Sequence, residues 1–315
     1  MDIIVLDDYQ GVALGMADWS RLRAQGRVEV SGDHIADSDE LVQRLAPYQA
    51  VVLMRERTAL PAHVIDRLPQ LELVVTTGRR NPVIDLEACR RRGIVVCNTA
   101  SPPGSTVEHT WALLLGLCRH LVEEAINVRE GRWQSTLGRD LAGKTLGILG
   151  LGRIGTEVAK VAQAFGMDVI AWSRSLTPER AAEAGVRAAA LEHVLGRADV
   201  VTIHLVLSEE TRGLVGAREL RLMKPDALLV NTSRGPIVDT DALVDALEHG
   251  HLGGAAVDVF ETEPLPADHP LRRAPRLLAT PHIGYVTERV YRVFYGEAVE
   301  DLEAYLAGAP IRRID

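Results

Sequence analysis

The stretch from Lys144 to Trp172 limits the fold of this chain more than any other. Lys144-Thr145-Leu146-Gly147-Ile148-Leu149 reads as a buried strand. Gly150-Leu151-Gly152-Arg153-Ile154-Gly155 follows at once, then a helical run over Thr156–Phe165 and a second strand-like run over Met167–Trp172. A GxGxxG spacing says little alone, but between a strand and a helix it closes a βαβ unit. The first glycine allows a tight turn, the second lets backbone approach a pyrophosphate, and the third lets the helix pack on the strand. The helix start, with Arg153 and Ile154 in its first turn, offers N–H groups and a positive dipole end to phosphates. A dinucleotide site is therefore expected at Gly150, Gly152, Arg153, Ile154 and Gly155.

The same alternation runs through the chain, as parallel sheets require. Strands are expected near Ile3–Leu6, Val28–Val30, Ala50–Met54, Leu73–Thr76 and Ile94–Cys97, with helices over Asp39–Leu45, Ala62–Leu68 and Asp85–Arg92. Pro102-Pro103-Gly104 breaks the pattern, and one long helix is expected from Thr106 to Arg129. A second series of strands follows at Leu146–Leu149, Val169–Trp172, Val200–His204, Leu228–Val230, Ala255–Val257 and Leu277–Ala279. Glu288–Leu306 reads as an amphipathic helix that returns to the first domain. At 315 residues the chain is too long for one ordinary core, and 47% hydrophobic with 25% charged residues is a globular mix.

A net charge of −8 argues against nucleic acid as a partner, since a phosphate backbone needs a basic surface. It leaves room for a small anion held by a few local cations. Cys89, Cys97 and Cys118 form no disulfide or metal spacing, which suits a reducing cytoplasm and packing roles. The N-terminus lacks a basic region and cleavage site, so no signal peptide is expected. The apolar run Trp111–Cys118 is too short to span a membrane. His249 and His251 have no evident third ligand, and no metal site is expected.

Beyond the second βαβ strand, a carboxylate would bond an adenosine ribose 2′-hydroxyl. Ser173-Arg174 stands there instead, and a hydroxyl with a guanidinium suits a 2′-phosphate. The expectation is NADP(H) preference, or tolerance of both NADP(H) and NAD(H). Three further segments place polar groups just past strands of the second series: Val230–Gly235, Val257–Pro264 and Ala279–Gly284. Ligands bind at such carboxyl ends. Arg234, Glu263 and His282 are therefore expected to meet near the nicotinamide.

With the glycine turn and these three segments in this order, the chain resembles the D-isomer-specific 2-hydroxyacid dehydrogenases over almost its whole length. The resemblance implies an α/β protein of two doubly wound parallel-sheet domains. A Rossmann cofactor domain over 99–285 would be inserted into a flavodoxin-like substrate domain formed by 1–98 and 286–315. It also implies interconversion of a small D-2-hydroxy acid and its 2-keto acid. Arg234 would grip the carboxylate and polarise the keto oxygen, His282 would exchange the proton, and Glu263 would fix the imidazole tautomer. Asp258 resembles the acid near the nicotinamide carboxamide. Thr232, Ser233, His204, Val206, Thr211, Thr106 and Gly284 are implied around the cofactor. Val206 stands where many relatives have proline, which alters the loop there.

Arg55 resembles a position near the substrate, and Gly78 and Arg79 resemble a loop whose N–H groups hold its carboxylate. Arg79 and Arg80 either help an acidic substrate or are simply solvated. Trp111 and Trp133 bracket the region through which relatives dimerise, so a homodimer is implied by the resemblance. A cofactor-sensing, corepressor-like protein of the same fold is the alternative function. Formate dehydrogenases, which the segment from Glu263 to Leu271 also resembles, carry glutamine where Glu263 sits.

Overall fold

The computed structural model describes residues 1–314. They form two compact units, Met1–Pro102 together with the chain from Val286 onward, and Pro103–Tyr285.

The first unit carries β1 (Ile3–Val5), β2 (Val28–Val30), β3 (Ala50–Leu53), β4 (Leu73–Thr76) and β5 (Val95–Asn98). They pair in parallel in the order β2-β1-β3-β4-β5, the flavodoxin-like doubly wound order. Every residue of β3 and β4 is buried, because helices cover both faces of such a sheet. Asp37 and Asp85 cap helices Ser38–Leu45 and Leu86–Arg92 by accepting backbone N–H groups, and Gly93 ends the second in the left-handed region. The helix expected over Ala62–Leu68 stops at Ile65, where Arg67 and Leu68 tighten into i to i−3 bonds. The long helix Glu288–Leu306 belongs to this unit and packs on β4 and β5. Beyond it, backbone bonds from Asn98 N–H to Arg312 O and from Ile314 N–H to Val96 O lay the tail along β5. Arg312 pins the tail through its Nε, 2.9 Å from Asp301 Oδ1 on the helix.

The second unit carries β6 (Thr145–Leu149), β7 (Asp168–Trp172), β8 (Arg187–Ala188), β9 (Val200–Ile203), β10 (Leu228–Asn231), β11 (Gly254–Val257) and β12 (Leu277–Ala279). The order β12-β11-β10-β9-β6-β7-β8 is parallel throughout and is that of a Rossmann sheet with one added strand. The strand order reverses between β6 and β9, so the crevice for a ligand opens at their carboxyl ends. One apolar cluster lies on each face of this sheet.

The single helix expected from Thr106 to Arg129 is two helices, Ser105–Cys118 and Leu121–Arg129. His120 breaks it with φ 50°, a left-handed conformation that histidine tolerates better than most residues. The first helix packs into the core, with Trp111 buried and stacked on Phe165 at 5.1 Å. The second buries only Asn127. Its Leu121, Val122, Ile126 and Val128 are exposed, as are Trp133 (77%) and Leu137 (91%) just beyond. No described helix is long and apolar enough to cross a membrane.

Candidate active site

The glycine turn has a steric reason at its first and third positions. Gly150 has φ 104°, and a Cβ there would lie 2.6 Å from His204 O, because β6 and β9 run side by side. A Cβ on Gly155 would lie 2.2 Å from Gly150 O and 3.2 Å from Ile148 Cγ2, so the helix start sits directly on the turn. A Cβ on Gly152 would meet nothing within 4 Å. That open space faces the unsatisfied first N–H groups of helix Arg153–Ala164, which has no side-chain cap. A backbone cradle, an open face and bare donors fit a pyrophosphate. Arg153 is exposed in that first turn, while Ile154 leans on the core.

Loops beyond β7 and β9 flank the turn, since these strands are the neighbours of β6. On the β7 side, Ser173 Oγ accepts the Leu151 N–H at 2.8 Å, tying the Ser173-Arg174 pair to the glycine turn. On the β9 side, His204 Nε2 is 3.0 Å from Thr202 Oγ1, and desolvation pushes the imidazole pKa down to about 3, so it is neutral. The loop after it has no proline, and Thr211 does the bracing instead. Its hydroxyl accepts the Ser208 N–H at 2.8 Å and donates to Val206 O at 2.7 Å. The Val206 side chain is left exposed.

The chemistry-bearing segments leave the next three strands. After β10, Asn231 is buried and sets the turn: its Oδ1 accepts the Ser233 N–H and its Nδ2 donates to Arg234 O, both at 3.0 Å. Ser233 Oγ donates to Leu205 O, and Thr232 Oγ1 shares a 2.8 Å bond with Thr110 Oγ1. Arg234 Nη1 donates to its neighbour's Ser233 O at 2.8 Å. Gly235 lets this turn lie on the loop after β11, for a Cβ there would be 2.1 Å from Phe260 C. In that loop Glu263 Oε1 accepts the Phe260 N–H at 2.8 Å, and Oε2 lies 2.6 Å from His282 Nδ1 beyond β12. Glu263 and His282 thus come together as expected from the sequence, and Arg234 leaves the adjacent strand end. A carboxylate on Nδ1 places the Nδ1 proton between them and leaves Nε2 for a reacting group.

Asp258 does more than its sequence position suggested. It is 1% exposed and clasps the loop that carries His282. Its Oδ1 accepts from Thr280 Oγ1 at 2.6 Å and from the Ile283 N–H at 2.9 Å, and its Oδ2 accepts the Gly284 N–H at 2.8 Å. His109 Nε2 stands 3.1 Å from the same Oδ1 and 3.0 Å from Thr280 Oγ1. The threonine hydrogen points to Asp258, so His109 Nε2 carries the proton and donates to both oxygens. Burial pushes the Asp258 carboxyl up, but the bonds from His109, Thr280 and Ile283 outweigh it and hold it below the usual carboxylate range. Thr106 lies in the first turn of the same helix as His109, and both approach the Cβ position of Gly284. His109, Thr280 and Asn231 were not singled out from the sequence. His109 sits three residues after Thr106, on the same helical face, which was the available signal.

In the first unit, Arg55 has φ 57°, its N–H bonds Thr77 Oγ1 at 2.9 Å, and its guanidinium lies 3.4 Å from Glu56. Gly78 has φ 83°, and its N–H is taken by Thr99 Oγ1 at 2.8 Å, so this loop is locked from within. Arg79 and Arg80 are exposed, and Asn98 Nδ2 holds Arg79 O at 3.1 Å. Cys89, Cys97 and Cys118 are buried, and burial pushes their thiols up, Cys89 to about 11 and Cys97 to about 12. Among the described residues no cluster of three or more His, Cys, Asp or Glu is placed to hold a metal.

Residues 111–284 match the family model of the D-isomer specific 2-hydroxyacid dehydrogenase, NAD binding domain. The chain belongs to this family. It is 42% identical over 284 residues to a glyoxylate reductase of Aeropyrum pernix, covering 83% of this chain and 84% of that protein. It is 37% identical over 289 residues to a D-3-phosphoglycerate dehydrogenase of Bacillus subtilis, covering 90% of this chain. That match covers only 54% of the Bacillus protein, so the chain spans about half the length of this relative. A solved phosphoglycerate oxidoreductase of Vibrio cholerae superposes with a TM-score of 0.93 at 38% identity, over 98% of this chain and 100% of that one. The family shares NAD(P) binding in the second unit, where the glycine turn lies.

Proposed function

We propose that the protein is an NAD(P)-dependent oxidoreductase that interconverts a small D-2-hydroxy acid and its 2-keto acid. The observation that carries this is the 2.6 Å contact between Glu263 Oε2 and His282 Nδ1, on strand ends of the sheet that holds the glycine turn. Hydride chemistry is supplied by the nicotinamide when bound. His282 gives the Nε2 proton to the substrate oxygen as the keto carbon is reduced, and takes it back on oxidation. Glu263 fixes the tautomer and balances the charge on the imidazolium. Arg234 offers two parallel N–H donors to the substrate carboxylate and draws charge from the keto oxygen. Asp258 and Gly284 shape the nicotinamide end, and Thr106, Thr232, Ser233, His204, Val206 and Thr211 line the path to it. Arg55, Gly78 and Arg79 are assigned to the substrate, with Arg79 N–H the donor left for a carboxylate.

Glyoxylate and hydroxypyruvate are the first substrates to test, and the likeness to a glyoxylate reductase supports this choice. The enzymatic function is favoured over cofactor sensing, because both named relatives carry enzyme names. Ser173 and Arg174 support use of NADP(H), with NAD(H) also accepted. A homodimer through Leu121–Leu137 is supported by the exposed apolar run there, which water disfavours. Buried, unbridged cysteines suit a cytoplasmic setting. The test is absorbance of reduced nicotinamide with NADPH and NADH against a panel of 2-keto acids. Oxidation by at least one acid is expected, with loss on Arg234→Ala or His282→Ala. Variant rates within a few-fold of wild type would refute the assigned roles.

A further inference from the structure

The two loops that flank the glycine turn are joined to each other. Arg174 Nη1, beyond β7, lies 3.2 Å from Glu210 Oε1, beyond β9. These strands are the neighbours of β6 on opposite sides, so the ion pair reaches from one flank of the turn to the other. Both ends are held at their bases. Ser173 is tied to Leu151 in the turn, and Glu210 Oε2 accepts the Ser208 hydroxyl at 2.7 Å in the loop that Thr211 braces. Arg174 and Glu210 are both more than half exposed, so their attraction adds little to stability. The pair matters for what an approaching anion meets.

The segment Trp172–Thr177, at the carboxyl end of β7, carries no acid, and Arg174 suits a 2′-phosphate. In the folded chain a carboxylate arrives from a different loop and occupies that guanidinium. We propose that Glu210 is a specificity-determining residue: it competes with the cofactor's 2′-phosphate for Arg174 and thereby holds down discrimination in favour of NADP(H). The inference rests on the dinucleotide site proposed above. A 2′-hydroxyl carries no charge, so NAD(H) neither displaces Glu210 nor is repelled by it. A 2′-phosphate must take Arg174 from Glu210 and stand close to that carboxylate.

The test is direct binding, with no turnover required. Dissociation constants for NADPH and NADH are read from reduced-nicotinamide fluorescence, and those for 2′,5′-ADP and 5′-AMP by calorimetry. They are measured for wild type, Glu210→Gln, Glu210→Ala, Arg174→Ala and the double variant. Removing one unit charge beside a phosphate at a solvated site is expected to tighten NADPH and 2′,5′-ADP about tenfold, with NADH and 5′-AMP unchanged. Arg174→Ala should weaken NADPH by a similar factor and spare NADH. In the Arg174→Ala background, Glu210→Ala should have a smaller effect than in wild type, because the competition has lost its object. An NADPH to NADH ratio unmoved by both Glu210 variants, with both cofactors still binding, would overturn this proposal alone. Failure of wild type to bind either cofactor would overturn it together with the proposed function.

Discussion

Asp258 offers the sharpest test of how the site is held. Its two oxygens receive four donors: His109 Nε2, Thr280 Oγ1, and the N–H groups of Ile283 and Gly284. Hydrogen bonds to a charged group contribute about 1.5–3 kcal/mol each, and returning a buried carboxylate to water offsets much of that sum. Removing one member of a buried charge network costs about 3–5 kcal/mol net. For a unit of this size each kcal/mol lowers Tm by about 2–4 °C, so Asp258→Ala should lose about 6–20 °C. Asp258→Asn should fare little better. With its oxygen kept toward Thr280 and Ile283, its amide nitrogen faces the Gly284 N–H, donor against donor. The same variants release the loop carrying His282, and a displacement of about 1 Å costs roughly 100-fold in turnover. Calorimetric Tm and kcat are the measurements. Asp258→Asn with wild-type Tm and wild-type kcat would refute the clasp.

Other outcomes follow from the same contacts. His109→Gln keeps an N–H donor near the Nε2 position and should retain most of kcat, whereas His109→Leu should lower kcat about tenfold with little change in cofactor Kd. Gly155→Ala forces a methyl against Gly150 O and should cost about 1–3 kcal/mol in urea denaturation. Gly152→Ala has free space, so it should unfold like wild type yet bind NADPH at least about tenfold more weakly. Asp301 is fully buried, and burial pushes its carboxyl from 3.8 to about 7 despite the Arg312 guanidinium. A raised carboxyl pKa means the folded chain holds the proton more tightly, so this group's contribution falls as pH rises from about 4 to about 7. Asp301→Asn should remove that part of the slope, measured as urea midpoints at pH 5 and pH 8.

Most strands of this protein are legible because buried parallel strands are short, continuous apolar runs rich in β-branched residues. Val28–Val30, Leu73–Thr76 and Leu277–Ala279 fall where the sequence places them, and the other expected strands shift by a residue at one or both ends. Two-residue β8 is too short to leave such a run. The break at His120 was hidden because neither glycine nor proline marks it; the apolar spacing continues while the surroundings change from core to solvent. Glu263 and His282 could be paired from sequence because each lies in the loop that follows one of two neighbouring strands, β11 and β12, in the order the family resemblance implies. Asp258's four donors come from two segments far from it in the chain, and Glu210 lies 36 residues beyond Arg174, so no local pattern links them.

The brace in the loop after β9 has a consequence for how such a chain can change. Relatives that carry a proline there fix the backbone through a ring, which is indifferent to its neighbours. Here one threonine hydroxyl does the same work through two hydrogen bonds, and Val206, which stands at the proline's place, projects into solvent. Positions 206, 209 and 210 are exposed, so folding tolerates change there, while it depends on Thr211. The rim of the nucleotide crevice can therefore drift in charge and shape with almost no penalty in folding, provided that single hydroxyl is kept.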